Sequence, residues 1–228
     1  MLNKDKHRTL MFQILKDIFL SDLGSNLSFK GWTACYFLYG LDRFSTDLDF
    51  DLLKDIDWLD EKILEILEKY WSVKNGSKLI LSYWEKDINI KIDINRNIWN
   101  NNNYEIINFY GIDMKVQDKS TIFANKLVAL IERFTNRDIY DVYFFFQNMF
   151  DINEEIIIER TWKTKKELFI IIRDKLKDLP ENYKILDGLG ELLDEKQKSF
   201  VKNKLLKDLL WIIEMKIDFD LEYIVMDS

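Results

Sequence analysis

Between residues 47 and 53 the chain alternates. Asp47, Asp49 and Asp51 fall on every second position, and Leu48, Phe50 and Leu52 fill the gaps. Successive side chains of a strand point to opposite faces, so this stretch predicts a strand with one acidic face and one apolar face. Residues 88–96 repeat the pattern: Lys91, Asp93 and Asn95 share one side, Ile90, Ile92 and Ile94 the other. Strands are also predicted at 27–31 and 78–86, and 104–117 reads as two short strands about Gly111. Helical spacing runs through 4–22, where Leu10, Ile14, Leu15, Ile18 and Phe19 are in phase. A short helix is predicted at 33–40, stopped by Gly40. Another covers 57–71, capped by Asp57 or Asp60, with Leu59, Ile63, Ile66 and Leu67 on one face. The asparagine-rich stretch 97–103 is a loop by composition.

Beyond residue 117 the pattern becomes helical. Residues 118–134 carry Phe123, Leu127, Leu130 and Phe134 as a core stripe, and 137–150 form a second helix. The aromatic run at 142–150 reads as core packing of a helix buried between the two halves, not as a base-stacking platform. Residues 153–216 are expected to be helical, broken at Pro180 and at Gly188 and Gly190. The prediction is an α+β fold: a mixed sheet with flanking helices over 1–117, then a helical domain, 118–228, packed on it.

Composition narrows the chemistry. The chain has 228 residues, enough to bury a real core, and is 47% apolar and 32% charged. One cysteine, Cys35, excludes an internal disulfide, and with one histidine a structural zinc site is nearly excluded. Any metal must then be held by oxygen, which points to Mg2+ or Mn2+. The N-terminus lacks the features of a signal peptide and no run is long enough to span a bilayer, so a cytoplasmic protein is expected. The net charge of −7 does not favour nucleic acid, although 161–167 and 196–207 are locally basic.

If the two acidic strands are neighbours, about 4.8 Å apart, Asp47, Asp49 and Asp93 converge. Such carboxylates repel, and a divalent cation removes the conflict. The alternative is a wet acidic face of an antiparallel sheet. Asp51 lies farther along the strand and reads as a sheet-surface or loop-anchoring group rather than a ligand. Upstream, Gly31 ends a strand just before a helix opening with Trp32 and Thr33. A glycine turn at a helix N-terminus offers N–H groups to phosphate. Strand, glycine turn, short helix, then a strand bearing Asp-x-Asp is the arrangement of a nucleotidyltransferase.

Gly31-Trp32-Thr33-Ala34, Tyr39-Gly40 and Arg43-Phe44-Ser45-Thr46-Asp47-Leu48-Asp49-Phe50 resemble the first motif of the AbiEii/AbiGii toxin family, nucleotidyltransferases of the polymerase-beta-like superfamily. Ala124-Asn125-Lys126-Leu127-Val128-Ala129-Leu130 with Arg133, then Arg137-Asp138-Ile139-Tyr140-Asp141, resemble its later motif. Trp32 departs from a small residue and Asn125 from a glutamate. The resemblance implies Asp47 and Asp49 as ligands of Mg2+ carrying a nucleoside triphosphate, with Asp93 completing the site and helping to deprotonate the acceptor. It implies Lys126 at the phosphates and Asp141 orienting it. Gly31, Trp32, Thr33, Arg43, Ser45 and Asp138 would bind nucleotide or fix the surrounding loop. Implied too are a toxin of a toxin–antitoxin or abortive-infection (phage-defence) system, a cognate antitoxin, and NMP transfer to tRNA or another RNA. Nucleotidylation of a protein, or a non-catalytic nucleotide-binding module, are the alternatives.

Overall fold

Period-two alternation and helical phase resolve into two compact units, Met1–Asp118 and Lys119–Ser228, in the computed structural model. The structure describes residues 3–70, 72–74, 79–82 and 89–226, with no side-chain detail at 74 or beyond 218.

Among the described residues the first unit is built on a mixed sheet of seven strands: β1 (Leu27–Lys30), β2 (Leu48–Leu52), β3 (Ser72–Lys74), β4 (Leu79–Ser82), β5 (Ile90–Asn95), β6 (Tyr104–Phe109) and β7 (Ile112–Gln117). Their order across the sheet is β3-β4-β5-β2-β1-β7-β6. β2 runs antiparallel to β1 and parallel to β5, and β1 runs parallel to β7. The apolar sides of the alternating strands, among them Phe29, Leu48, Phe50, Ile92, Met114 and Val116, are buried. Helices α1 (Lys4–Leu20), α2 (Gly31–Leu38) and α3 (Leu59–Glu68) supply the rest of this core. Met11, Ile14, Leu15 and Ile18 of α1 and Ile63, Ile66 and Leu67 of α3 are buried with it.

Three local readings need correction. The 57–71 helix begins later, and its N-cap is Trp58, with no side-chain cap bond. Asp60 instead lies in the first turn, where its charge favours the helix dipole. Second, the short strand β3 has no sequence signal beyond Ser72 and Val73. Residues 78 and 83–86 of one predicted strand and residue 88 of the next lie outside the described residues. Third, besides the breaks expected at Pro180 and at Gly188 and Gly190, the helix is interrupted at 162–164.

The second unit comprises α4 (Lys119–Arg133), α5 (Asn136–Gln147), α6 (Glu154–Thr161), α7 (Lys165–Lys177), α8 (Glu195–Phe200) and α9 (Leu206–Met226). Between α6 and α7 the chain turns at Trp162 in left-handed conformation, and Thr164 opens α7 with a capping box. A π-helical segment, Val201–Leu205, joins α8 to α9. Most of the aromatic run packs within the second unit: Phe123 lies 4.9 Å from both Phe145 and Phe146, and Phe146 reaches Phe169 at 5.8 Å, while Met149 is exposed. Among the described residues no helix is long and apolar enough to cross a membrane.

Candidate active site

The two acidic strands are neighbours. β2 and β5 pair in parallel with Asp49 opposite Asp93 and Asp51 opposite Asn95. Asp47, Asp49 and Asp93 are each half-buried, whereas Asp51 is fully buried. Beside this pair, Gly31 begins α2 with φ +72°. A Cβ built there would stand 2.6 Å from Asp49 Oδ2 and 3.3 Å from its Cγ. Only glycine accepts both the left-handed backbone and this approach. Gly31→Ala is expected to cost about 1–2 kcal/mol from the backbone alone, and to push the Asp49 carboxylate aside. Thermal unfolding and NTP titration would register the two effects separately.

The loop from α2 to β2 carries Asp47 and is latched at several points. The Thr33 hydroxyl lies 2.8 Å from the Ser45 hydroxyl and also donates to the Asp47 carbonyl. Arg43 is buried, donates to the Phe44 carbonyl at 3.1 Å, and sits 5.0 Å from the centre of the Trp32 ring. Trp32, which breaks the family pattern, thus forms a cation–π contact. These bonds of Thr33, Arg43 and Ser45 fix the loop. His7 adds a latch that sequence reasoning missed: its Nε2 donates to the Thr46 carbonyl at 3.0 Å. The signal was its phase with Met11, Ile14 and Ile18 on the buried stripe of α1.

Asp51 does different work from its neighbours. Its carboxylate accepts from Lys30 Nζ at 2.5 Å, Asn95 Nδ2 at 2.9 Å, Tyr104 OH at 3.0 Å, Gln117 Nε2 at 3.1 Å and Asn102 Nδ2 at 3.5 Å. It ties β1, β5, β6, β7 and the asparagine loop to β2. Burial, helped by the charge of Asp51, raises the pKa of Tyr104, so its hydroxyl remains a donor.

Among the described residues, no three His, Cys, Asp or Glu side chains converge as a ready metal cage. Two adjacent carboxylates of the right chemistry nevertheless suit Mg2+, which is bound through one or two protein carboxylates plus substrate phosphates. Asp49 and Asp93 meet that description.

In the second unit, Lys126 is buried, with Nζ 2.5 Å from Asp138 Oδ1 and 3.6 Å from Asp141 Oδ2. Asp141 makes the expected ion pair, and Asp138 lies nearer. Burial lowers the lysine pKa, and the two carboxylates oppose that shift. Asp138 also accepts from Arg133 Nε and Nη2, at 2.7 and 2.8 Å, and from the Thr135 hydroxyl at 2.7 Å. Thr135 is the N-cap of α5 and accepts in return from the Asp138 N–H. Burial raises the Asp138 pKa, but the Arg133 bonds and the Lys126 charge outweigh it and hold the carboxyl well below the usual range. Its stabilising contribution is therefore whole above about pH 4 and is lost as pH falls below that. Melting curves stepped down through that region should show the loss in the wild type and little of it in Asp138→Asn. Asn125, where the family carries glutamate, accepts from Arg160 Nη1 at 2.8 Å.

A protein-family model described as "Nucleotidyl transferase AbiEii toxin, Type IV TA system" matches residues 13–214. The fold is similar to the crystal structure of JHP933 from Helicobacter pylori, with TM-score 0.59, 20% identity and full coverage of both chains. It is also similar to MenT4, nucleotidyltransferase toxin Rv2826c from Mycobacterium tuberculosis H37Rv, with TM-score 0.54, 18% identity, and coverage of 92% of this chain and 84% of that one. No curated protein matches the chain.

Proposed function

The chain belongs to the AbiEii family of nucleotidyltransferase toxins of type IV toxin–antitoxin systems, and on that premise we propose that it transfers NMP from an NTP to the 3′ end of tRNA. The observation that carries the reading is Asp49 and Asp93 in register on adjacent parallel strands, with Gly31 against Asp49. Mg2+ or Mn2+ held by Asp49 and Asp93 would neutralise the triphosphate and stabilise the entering and leaving oxygens.

The chain's own groups do the rest. The first turn of α2, opened by Gly31, offers backbone N–H groups to phosphate oxygens. A carboxylate oxygen of Asp93 accepts the proton of the attacking hydroxyl. The bonds of Thr33, Ser45 and His7 hold the Asp47 segment still, which matters because phosphoryl transfer depends on positioning. Lys126, Asp138 and Asp141 are assigned to the same activity on the match of their motif to the family. Exposed Lys202, Lys204 and Lys207 around the π-helical segment support an RNA acceptor, since phosphate contact needs such cations.

The net charge of −7 favours a second reading, nucleotidylation of a protein acceptor. Total RNA and a cell extract, each incubated with Mg2+ and one radiolabelled NTP at a time, separate the two. Label in tRNA-sized RNA is the expected result. Label confined to protein establishes the alternative, and NTP binding without any transfer points to a binding module.

A further inference from the structure

Between α1 and the β6–β7 turn of the first unit lies a cavity of about 490 Å3. Phe12, Phe37, Phe109 and Tyr110 dominate its walls, and among the described residues Arg8 and Lys16 are its charged lining residues and no carboxylate lines it. Phe12 stands at the centre, with Phe109 and Tyr110 each packed edge-on at 5.7 Å. The Arg8 guanidinium lies 5.8 Å from the ring centre of Phe37. None of these residues belongs to the loop or strands of the candidate active site.

Tyr110 is the unusual member. With Gly111 it forms a two-residue hairpin turn, closed by the Phe109–Ile112 pair, in which both residues have positive φ, 48° and 80°. Such turns call for Asn, Asp or Gly at the first position, and a left-handed backbone costs a bulky L residue about 1 kcal/mol or more. The Asn108 side chain holds the turn by accepting from the Gly111 N–H at 3.2 Å. Yet Tyr110 remains 77% exposed. A strained backbone is being used to stand an aromatic ring at the mouth of an apolar groove, the kind of outlier from which function is inferred.

We infer that this groove docks an extended peptide segment of a partner protein, one in which an aromatic or branched aliphatic side chain stands beside carboxylates. The apolar walls require an apolar anchor. Two lining cations with no lining anion among the described residues, on a chain of net charge −7, select acidic flanks. The groove is open, with Leu20 64% exposed at its rim, so it does not enclose a small molecule as ligand pockets do. Among the described residues β6 is the last strand of the sheet, and its outer edge gives an extended backbone somewhere to pair. Nucleic acid fits less well, because two cations give few phosphate contacts.

A random peptide library displayed on phage, panned against the full-length protein and then against a Lys16→Glu, Tyr110→Ala double variant, tests this. Both proteins should keep NMP-transfer activity, since neither residue is part of that machinery. The expected result is enrichment of peptides combining Asp or Glu with Phe, Tyr, Leu or Ile. Their affinity should fall by about tenfold or more on the double variant, as loss of an interface tyrosine and a charge contact implies. No enrichment, enrichment without acidic bias, or equal binding to the double variant overturns the inference. So does an oligouridylate that binds the wild type and is lost from the double variant, which would make the groove a nucleic-acid contact.

Discussion

Asp49→Ala is expected to lower NMP transfer by about a thousandfold or more while leaving the protein folded. The magnitude follows from removing a carboxylate that positions the cation at the triphosphate, a contribution of several kcal/mol, at about 1.4 kcal/mol per factor of ten. The fold should survive because Asp49 is only half-buried, and the substitution also opens the close approach at Gly31. Circular dichroism and melting temperature should stay near wild type, while transfer of label to RNA disappears. Retained transfer would remove Asp49 from the metal site. Collapse of the fold would make it a structural residue.

Asp51→Ala, two residues along the same face of the same strand, should do the opposite kind of damage. The buried carboxylate serves donors from five side chains. Removing it strands those donors and leaves the Lys30 ammonium without the ion pair it makes at 2.5 Å. Breaking a buried pair in this way costs about 3–5 kcal/mol, which for a protein of this size lowers the melting temperature on the order of 15 °C. Thermal unfolding followed by far-ultraviolet dichroism measures it. A variant that melts like wild type but is inactive would move Asp51 into the catalytic set. The contrast between Asp49 and Asp51 is sharp because the same alternation puts both on one face, and only the surroundings separate them.

That separation marks where the sequence stops being informative. Period-two alternation placed the acidic residues of β2 and β5 on strands, and the apolar alternation predicted the buried sides. The mixed sheet and the helical second half followed from the same patterns, and the toxin family from the motifs around Gly31, Asp47 and Lys126. Alternation carries no information about what covers a face, so the asparagine loop folding over Asp51 was beyond it. Ion pairing in the second unit was legible only as a motif. Asp138 and Asp141 are one helical turn apart, and which one approaches Lys126 more closely depends on side-chain packing. His7 was in phase with a buried stripe, but its partner, the Thr46 carbonyl, is 39 residues away. The left-handed turn at Trp162 and the π-helical segment have no local signature, since neither Gly nor Pro marks them.

The parallel register of β2 and β5 has a consequence for when the protein becomes dangerous to its host. Asp49 and Asp93 are remote in the chain, and parallel pairing cannot form as a hairpin. A nascent polypeptide still short of Asp93 on the ribosome holds only half of the acidic pair, whatever local structure it has reached. Harm to the cell is thereby deferred at least until Asp93 has been made and its strand has paired with β2.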